Sequence, residues 1–344
     1  MRISVLFLLV TFLFSSHKSE AQEFDQAIDY LEFVNEYSQD ISKKMWKYTT
    51  AIAHSKNDRN IERKRKKIIK AFDEGIQDIQ NADSFEGEEF KAKVIESFEL
   101  NKNLLNQDYA KVVDLKEIAE QSYDNMEAFF LTQKKANEKM EQLQNEYEQN
   151  LNAYAVQHKI NLVESETELG NKMKASGEVF DHNNDLYLIF FKANIIENQI
   201  MKSISEENML AVQQNINSLK NAAKEGLAAI DTVALYKEDK MVYNATKEAL
   251  EFYISETETY LPEMLDFLML NSNFIKLKAK IDETPKRKRT KAQIDAFNKK
   301  VKQVNDGVAN YNQLSNELNT KKQQVIEKLN MVKQEFLAKH IPKS

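Results

Sequence analysis

The chain contains no cysteine. That one absence removes disulfides, thiolate metal sites and cysteine-linked lipid anchors together, so the fold rests on packing alone. Three prolines and six glycines in 344 residues leave few places where the backbone is obliged to turn, and long helices follow. The glycines never occur as G-x-G, and no pair has the spacing of a phosphate-binding loop, which argues against nucleotide binding. The only tryptophan, Trp46, stands beside Met45 on an apolar helical face, where core packing is expected. Beyond the N-terminus no apolar run approaches the ~20 residues that span a bilayer. Leu186–Ile196 is interrupted by Lys192, and Leu261–Ile275 by Glu263 and Asp266. The formal net charge of −6 is modest and acidic, which speaks against a dedicated nucleic-acid role.

Met1-Arg2 followed by the apolar run Ile3–Phe14, with small residues at Ser19 and Ala21, reads as a signal peptide over residues 1–21, cut before Gln22. The remaining chain is long enough for more than one domain. A helical-bundle domain is expected over 22–160, a linker over 161–177, where Gly170, Gly177 and the acidic Glu164, Glu166 and Glu168 fall, and a second bundle over 178–344.

The strongest periodic signal comes last. Ile294, Val301 and Val308 recur every seven residues, as do Phe297, Val304, Tyr311, Leu318, Val325 and Val332, and Leu329 and Phe336 resume the first series. A heptad seam keeps one apolar stripe against a partner helix. Thr290 with Gln293 supplies a capping box for a helix over 290–339, roughly 75 Å long. Ser315 and Lys322 interrupt the first series, which implies looser packing in mid-helix or a changed neighbour there. Upstream, spacing of three and four predicts helices over about 23–56, 61–80, 88–106, 108–160, 178–203, 205–231, 239–259 and 262–281. A capping box is expected at Ser203 with Glu206, and Pro262 suits a first helical turn. The fold class is all-α: an elongated helical bundle with long coiled-coil-like helices.

The halves look alike. Glu74-Gly75-Ile76 corresponds to Glu225-Gly226-Leu227 at an offset of 151, which also pairs Ile79 with Ile230 and Tyr109 with Tyr260, and Tyr30-Leu31-x-Phe33 matches Tyr187-Leu188-x-Phe190. A duplication explains this order. Together with the Phe85-x-Gly87-Glu88 turn, the Asn106–Tyr109 step and the stretch Lys116–Ala128, the Tyr187–Lys192 segment resembles an uncharacterised family of exported helical surface proteins from Bacteroidota and spirochaetes. The resemblance implies location and fold class, and no catalytic or binding residues.

Di-metal bundles use Glu-x-x-His pairs. The residues three before His54, His158, His182 and His340 are Ala51, Ala155, Val179 and Leu337, so that motif is absent. Asp181, Asn183 and Asp185 mimic the start of a calcium loop around His182, yet Leu186 replaces its glycine and Lys192 its bidentate glutamate. The stretch reads as a helix start with acidic first-turn residues. No nucleophile elbow accompanies any serine and histidine. Two basic runs, Arg59–Lys67 and Lys286–Lys291, are read as a solvated helix face and a polar loop, with lipid or lipopolysaccharide phosphates as the alternative contact. The ring pairs Phe129-Phe130 and Phe190-Phe191 are wide enough to face two neighbouring helices. No catalytic, cofactor-binding or metal residues are assigned, and no cofactor is expected. The expected role is an exported, non-enzymatic structural or interaction protein of the periplasm, outer-membrane surface or cell exterior. Its partner is a protein or envelope component, not nucleic acid, and an oligomer is compatible. The alternatives are a membrane-active helical protein and an envelope metal or ligand carrier.

Overall fold

The computed structural model describes residues 23–55, 57–162 and 168–343. The expected signal peptide and its cleavage site lie outside them, as do Glu164 and Glu166 of the expected linker. Among the described residues there is no strand, and the chain is all-α. The helices are α1 (Ala27–His54), α2 (Asp58–Asn81), α3 (Glu89–Ala119), α4 (Tyr123–Gln157), α5 (Glu168–Ser205), α6 (Met209–Ile230), α7 (Met241–Ser255), α8 (Leu261–Glu283) and α9 (Lys291–His340).

The chain divides into two compact units. One comprises the described residues up to Asn184 with those from Gln334 onward; the other is Asp185–Lys333. The expected linker 161–177 does not coincide with this division. Its second half, from Glu168, is helical, and the boundary falls inside α5. Gly170 and Gly177 cost a helix about 1 kcal/mol each relative to alanine. Both are buried, along with Met173, Ser176 and Val179 on the same face, and that burial outweighs the propensity.

In the first unit α1 packs on α2, α2 on α3 and α3 on α4. Their core is Tyr30, Leu31, Val34, Ile68, Phe72, Ile76, Ile79, Val94, Phe98, Leu105, Tyr147, Leu151 and Tyr154, all buried. Each such side chain stabilises by about 1.5–3 kcal/mol through removal from water. The rings interlock: Phe72 meets Phe98 edge-on at 5.4 Å, and Phe90 stacks on Tyr154 at 4.1 Å. Gly75 sits where α2 crosses its neighbours; a Cβ there would lie 3.0 Å from the Phe98 ring and 3.2 Å from Tyr37. In the second unit Gly226 of α6 has the corresponding tightness, 3.0 Å from Leu250 of α7 and 3.3 Å from Ile189 of α5.

Three expected boundaries move. The helix expected to end near Asn106 runs on to Ala119, and the rod expected over 108–160 begins only at Tyr123. Ser122 starts it, its hydroxyl accepting from the Asn125 amide at 3.1 Å, a serine cap that the apolar pattern running across it concealed. The capping box at Ser203 does not form. Ser203 Oγ instead donates to the Gln199 carbonyl inside α5 (2.8 Å), and Asn208 caps α6 through the Ala211 amide (3.2 Å). At Thr290 the reciprocal capping box is present: the Thr290 amide donates to Gln293 Oε1 (2.8 Å) and the Gln293 amide to Thr290 Oγ1 (3.2 Å).

Within the second unit α7 passes into α8 through a π turn, Glu256–Tyr260. α8 and α9 then form an antiparallel hairpin. Tyr260 receives Lys321, Phe267 meets Tyr311 at 4.9 Å, and Phe274 meets Phe297 at 5.7 Å, so positions rise along one helix as they fall along the other. Of the heptad positions, Val304, Leu318 and Leu329 are buried, whereas Ile294 and Val308 of the first series are 43% and 39% exposed.

Candidate functional site

Three places combine unusual chemistry with an arrangement packing alone does not require. The first lies in the α1–α4 unit. A cavity of about 70 Å³ is lined by Ile41, Met45, Phe72, Phe98, Met140 and Met173, with Ser38, Ser42, Asn101, Gln144 and Tyr147 as its polar members. The Ser38 and Tyr147 hydroxyls bond each other at 2.7 Å, and Ser42 Oγ donates to the Ser38 carbonyl at 2.5 Å. A second cavity of about 110 Å³ adjoins it, sharing Met45, Met140 and Met173 and reaching Tyr48, Ile52, Tyr109 and Phe180. Each is smaller than the ~150 Å³ that admits a benzene molecule. The wall between them consists of thioether side chains, the most adaptable packing elements available.

The second place is in the Asp185–Lys333 unit. The π turn rotates Glu256 inward, where no part of it meets solvent and neither carboxyl oxygen has a hydrogen-bond partner among the described residues. Such a turn adds a residue to the helical circuit and re-aims the side chains after it. Glu197 of α5 is equally buried; its Oε2 receives Lys322 Nζ from α9, and its Oε1 has no partner. Tyr253 of α7 lies beside them and donates to Asn194 Oδ1 at 2.8 Å. Burial, then the Glu197 charge, push the Glu256 pKa up to about 8 against the opposing pull of Lys322. Burial likewise raises that of Glu197, opposed by its bond to Lys322. The pair shares one cation, so Glu256 holds a proton at neutral pH.

The third is the outer end of the α8–α9 hairpin. From Asp266 to Glu283 and from Lys291 to Asn316 every side chain is exposed or half-buried except Ile281 and Val304. Residues 276–302 carry eleven Lys or Arg against three Asp or Glu, in a chain whose total is −6. Among the described residues only Lys278 of these has a carboxylate within 4 Å, Asp282 at 3.6 Å. The connecting turn is built by Pro285, whose carbonyl receives the Lys288 amide (2.8 Å), and by Arg289 Nε, which donates to the Thr284 carbonyl (2.9 Å).

The residues weighed from sequence fall in several separate places. Asp181, His182, Asn183 and Asp185 lie in the interior of α5 and not at a helix start, because the helix begins at Glu168. His182 is buried with its ring 5.4 Å from Phe336. His54 bonds the Ile341 carbonyl at 2.6 Å, and His158 packs on Tyr154 and Phe85. Among the described residues no three His, Asp or Glu converge as a metal would require. The run Arg59–Lys67 is not uniformly a solvated face. Arg65 turns inward, grips Glu62 with two bonds of 2.8 Å and donates to the Leu105 carbonyl. Trp46 is buried, Phe190 and Phe191 are buried, and Phe129 and Phe130 are half-buried. Sequence reasoning misses the carboxyl pair, although one signal of it is legible: Lys322, which breaks the heptad seam, is the residue that meets Glu197. No protein-family model matches the chain, and no curated protein or solved structure matches it either.

Proposed function

We propose that the chain is an exported, non-catalytic interaction protein of the periplasm or cell surface, in which packed helices hold out the α8–α9 hairpin as the presenting element. The observation that carries this reading is the hairpin itself. Its aromatic side chains are spent on one another, and its remaining faces are left to solvent over more than forty residues. A pair of helices that long has no use in a compact core; its use is reach. The signal-peptide pattern of residues 1–21 and the resemblance to exported helical surface proteins support the location. The similarly tight glycines Gly75 and Gly226 support an origin by duplication of a multi-helix half.

The test is a variant in which residues 270–308 are replaced by a short Gly/Ser turn, which joins paired levels of the two helices. Its circular dichroism should show the rest of the fold retained, while crosslinking in intact envelopes should lose the adducts formed by the full chain. Unchanged adducts would show that the hairpin is not the presenting element. The adjoining methionine-walled cavities favour a second reading, carriage of a small apolar ligand. Native mass spectrometry of the purified chain checks that reading, and a tightly held small molecule would favour it.

A further inference from the structure

The basic outer end of the hairpin fits one kind of surface. We infer that residues 276–302 dock the chain onto an anionic phospholipid surface, an inference that rests on the hairpin being the presenting element.

The positive charge is concentrated at one point. The turn Lys286–Lys288 and the first helical turn after it put Lys286, Arg287, Lys288 and Lys291 at the outermost point, all exposed and none with a carboxylate within 4 Å among the described residues. Lys276 and Lys302 stand about 10–17 Å back along their helices at ~1.5 Å per residue. At physiological salt the Debye length is about 8 Å. A planar anionic surface touching the turn therefore feels the outermost cations almost unscreened and the inner ones weakly.

Two further features select lipid over other polyanions. Single-stranded nucleic acid is gripped by stacking on exposed rings, but Phe267, Phe274, Phe297 and Tyr311 face one another across the hairpin. No ring is left near the end for a base. In their place, Ile275 and Ile294, 51% and 43% exposed, stand at the same level of α8 and α9, among the inner lysines and about 12 Å behind the end of α8. Exposed aliphatic groups among lysines are the composition that settles at a headgroup boundary. Among the described residues no helix is long and apolar enough to cross a membrane, so the contact is peripheral.

The experiment uses the full chain with sedimentable vesicles of phosphatidylcholine, with and without phosphatidylglycerol. Binding is expected only to the anionic vesicles and should fall steeply with added salt. Each basic residue near such a surface is worth about 5-fold in partition. The variant Lys286→Gln, Arg287→Gln, Lys288→Gln, Lys291→Gln should therefore bind roughly 100-fold or more weakly. Circular dichroism should be unchanged, because none of the four side chains supports the fold. Ile275→Ser with Ile294→Ser should weaken binding without altering its salt dependence. Neutralising Arg59 and Lys67 on α2 should change it less than about 2-fold. Equal binding to neutral vesicles, full binding by the four-fold variant, or tighter binding to a duplex oligonucleotide at the same salt would overturn the lipid assignment. If the vesicles fail while the shortened hairpin still loses its envelope adducts, the lipid inference falls and the proposed function stands.

Discussion

Glu256→Gln isolates the most unusual group in the molecule. The native carboxyl is fully buried, without a hydrogen-bond partner among the described residues, and its pKa is pushed up to about 8 by burial and by Glu197, against an ordinary value of 4.5. A raised carboxyl pKa means that the native state keeps a proton the unfolded chain has lost. Stability is greatest below the unfolded value, falls as pH rises between the two values, and levels off above the native one. The slope is about 1.4 kcal/mol per pH unit, so the full window amounts to roughly 4–5 kcal/mol, an upper figure because solvent reaches opened states of any helix pair. Glutamine has the shape of the protonated acid and no proton to lose. Urea unfolding followed at 222 nm should find the variant close to the native chain at about pH 5 and more stable by several kcal/mol at about pH 8. Parallel pH profiles for the two proteins, or a variant destabilised equally at both ends, would refute the reasoning. Either result would mean that Glu256 is not held neutral in its buried position.

Gly307→Ala should loosen the hairpin, since a Cβ there lies 2.7 Å from the Phe267 ring. The overpacking cost of about 1–3 kcal/mol exceeds the ~1 kcal/mol helix-propensity gain, and faster amide exchange along α8 would show it. Arg65→Ala removes the second donor to the Leu105 carbonyl, which keeps its intrahelical bond inside α3, and leaves Glu62 without its clamp. A loss of about 1.5–3 kcal/mol is expected in thermal unfolding. Thr290→Ala removes half of the reciprocal cap at the start of α9, at a cost of about 0.5–2 kcal/mol. Exchange should quicken in the first turns of α9 and not in α1–α4.

Legibility in the chain alone tracks the physics of repetition. The long helix over 290–339 is legible because a heptad pattern and a capping box point the same way, and α9 spans Lys291–His340. The division at Ser122 is not, because the apolar pattern runs through it and only one hydroxyl marks the break. Gly170 and Gly177 suggest a linker where burial makes a helix, since propensity weighs less than packing on a contacting face. The carboxyl pair is hidden for another reason. Glu197 and Glu256 are far apart in sequence and ordinary in type, and only the three-dimensional meeting of α5, the π turn and α9 makes them a site. Lys322 is visible as a flaw in the seam, but its partner is not.

If the outer hairpin is the part of the molecule that touches something else, its lysines must be covered when the chain is bound. Lysine acetylation footprinting of the full chain, free and with isolated envelope membranes, tests this most directly. Lys286, Lys288 and Lys291 should lose reactivity while exposed lysines of α2, such as Lys67, keep theirs. Protection on α2 with an unprotected hairpin end would contradict it.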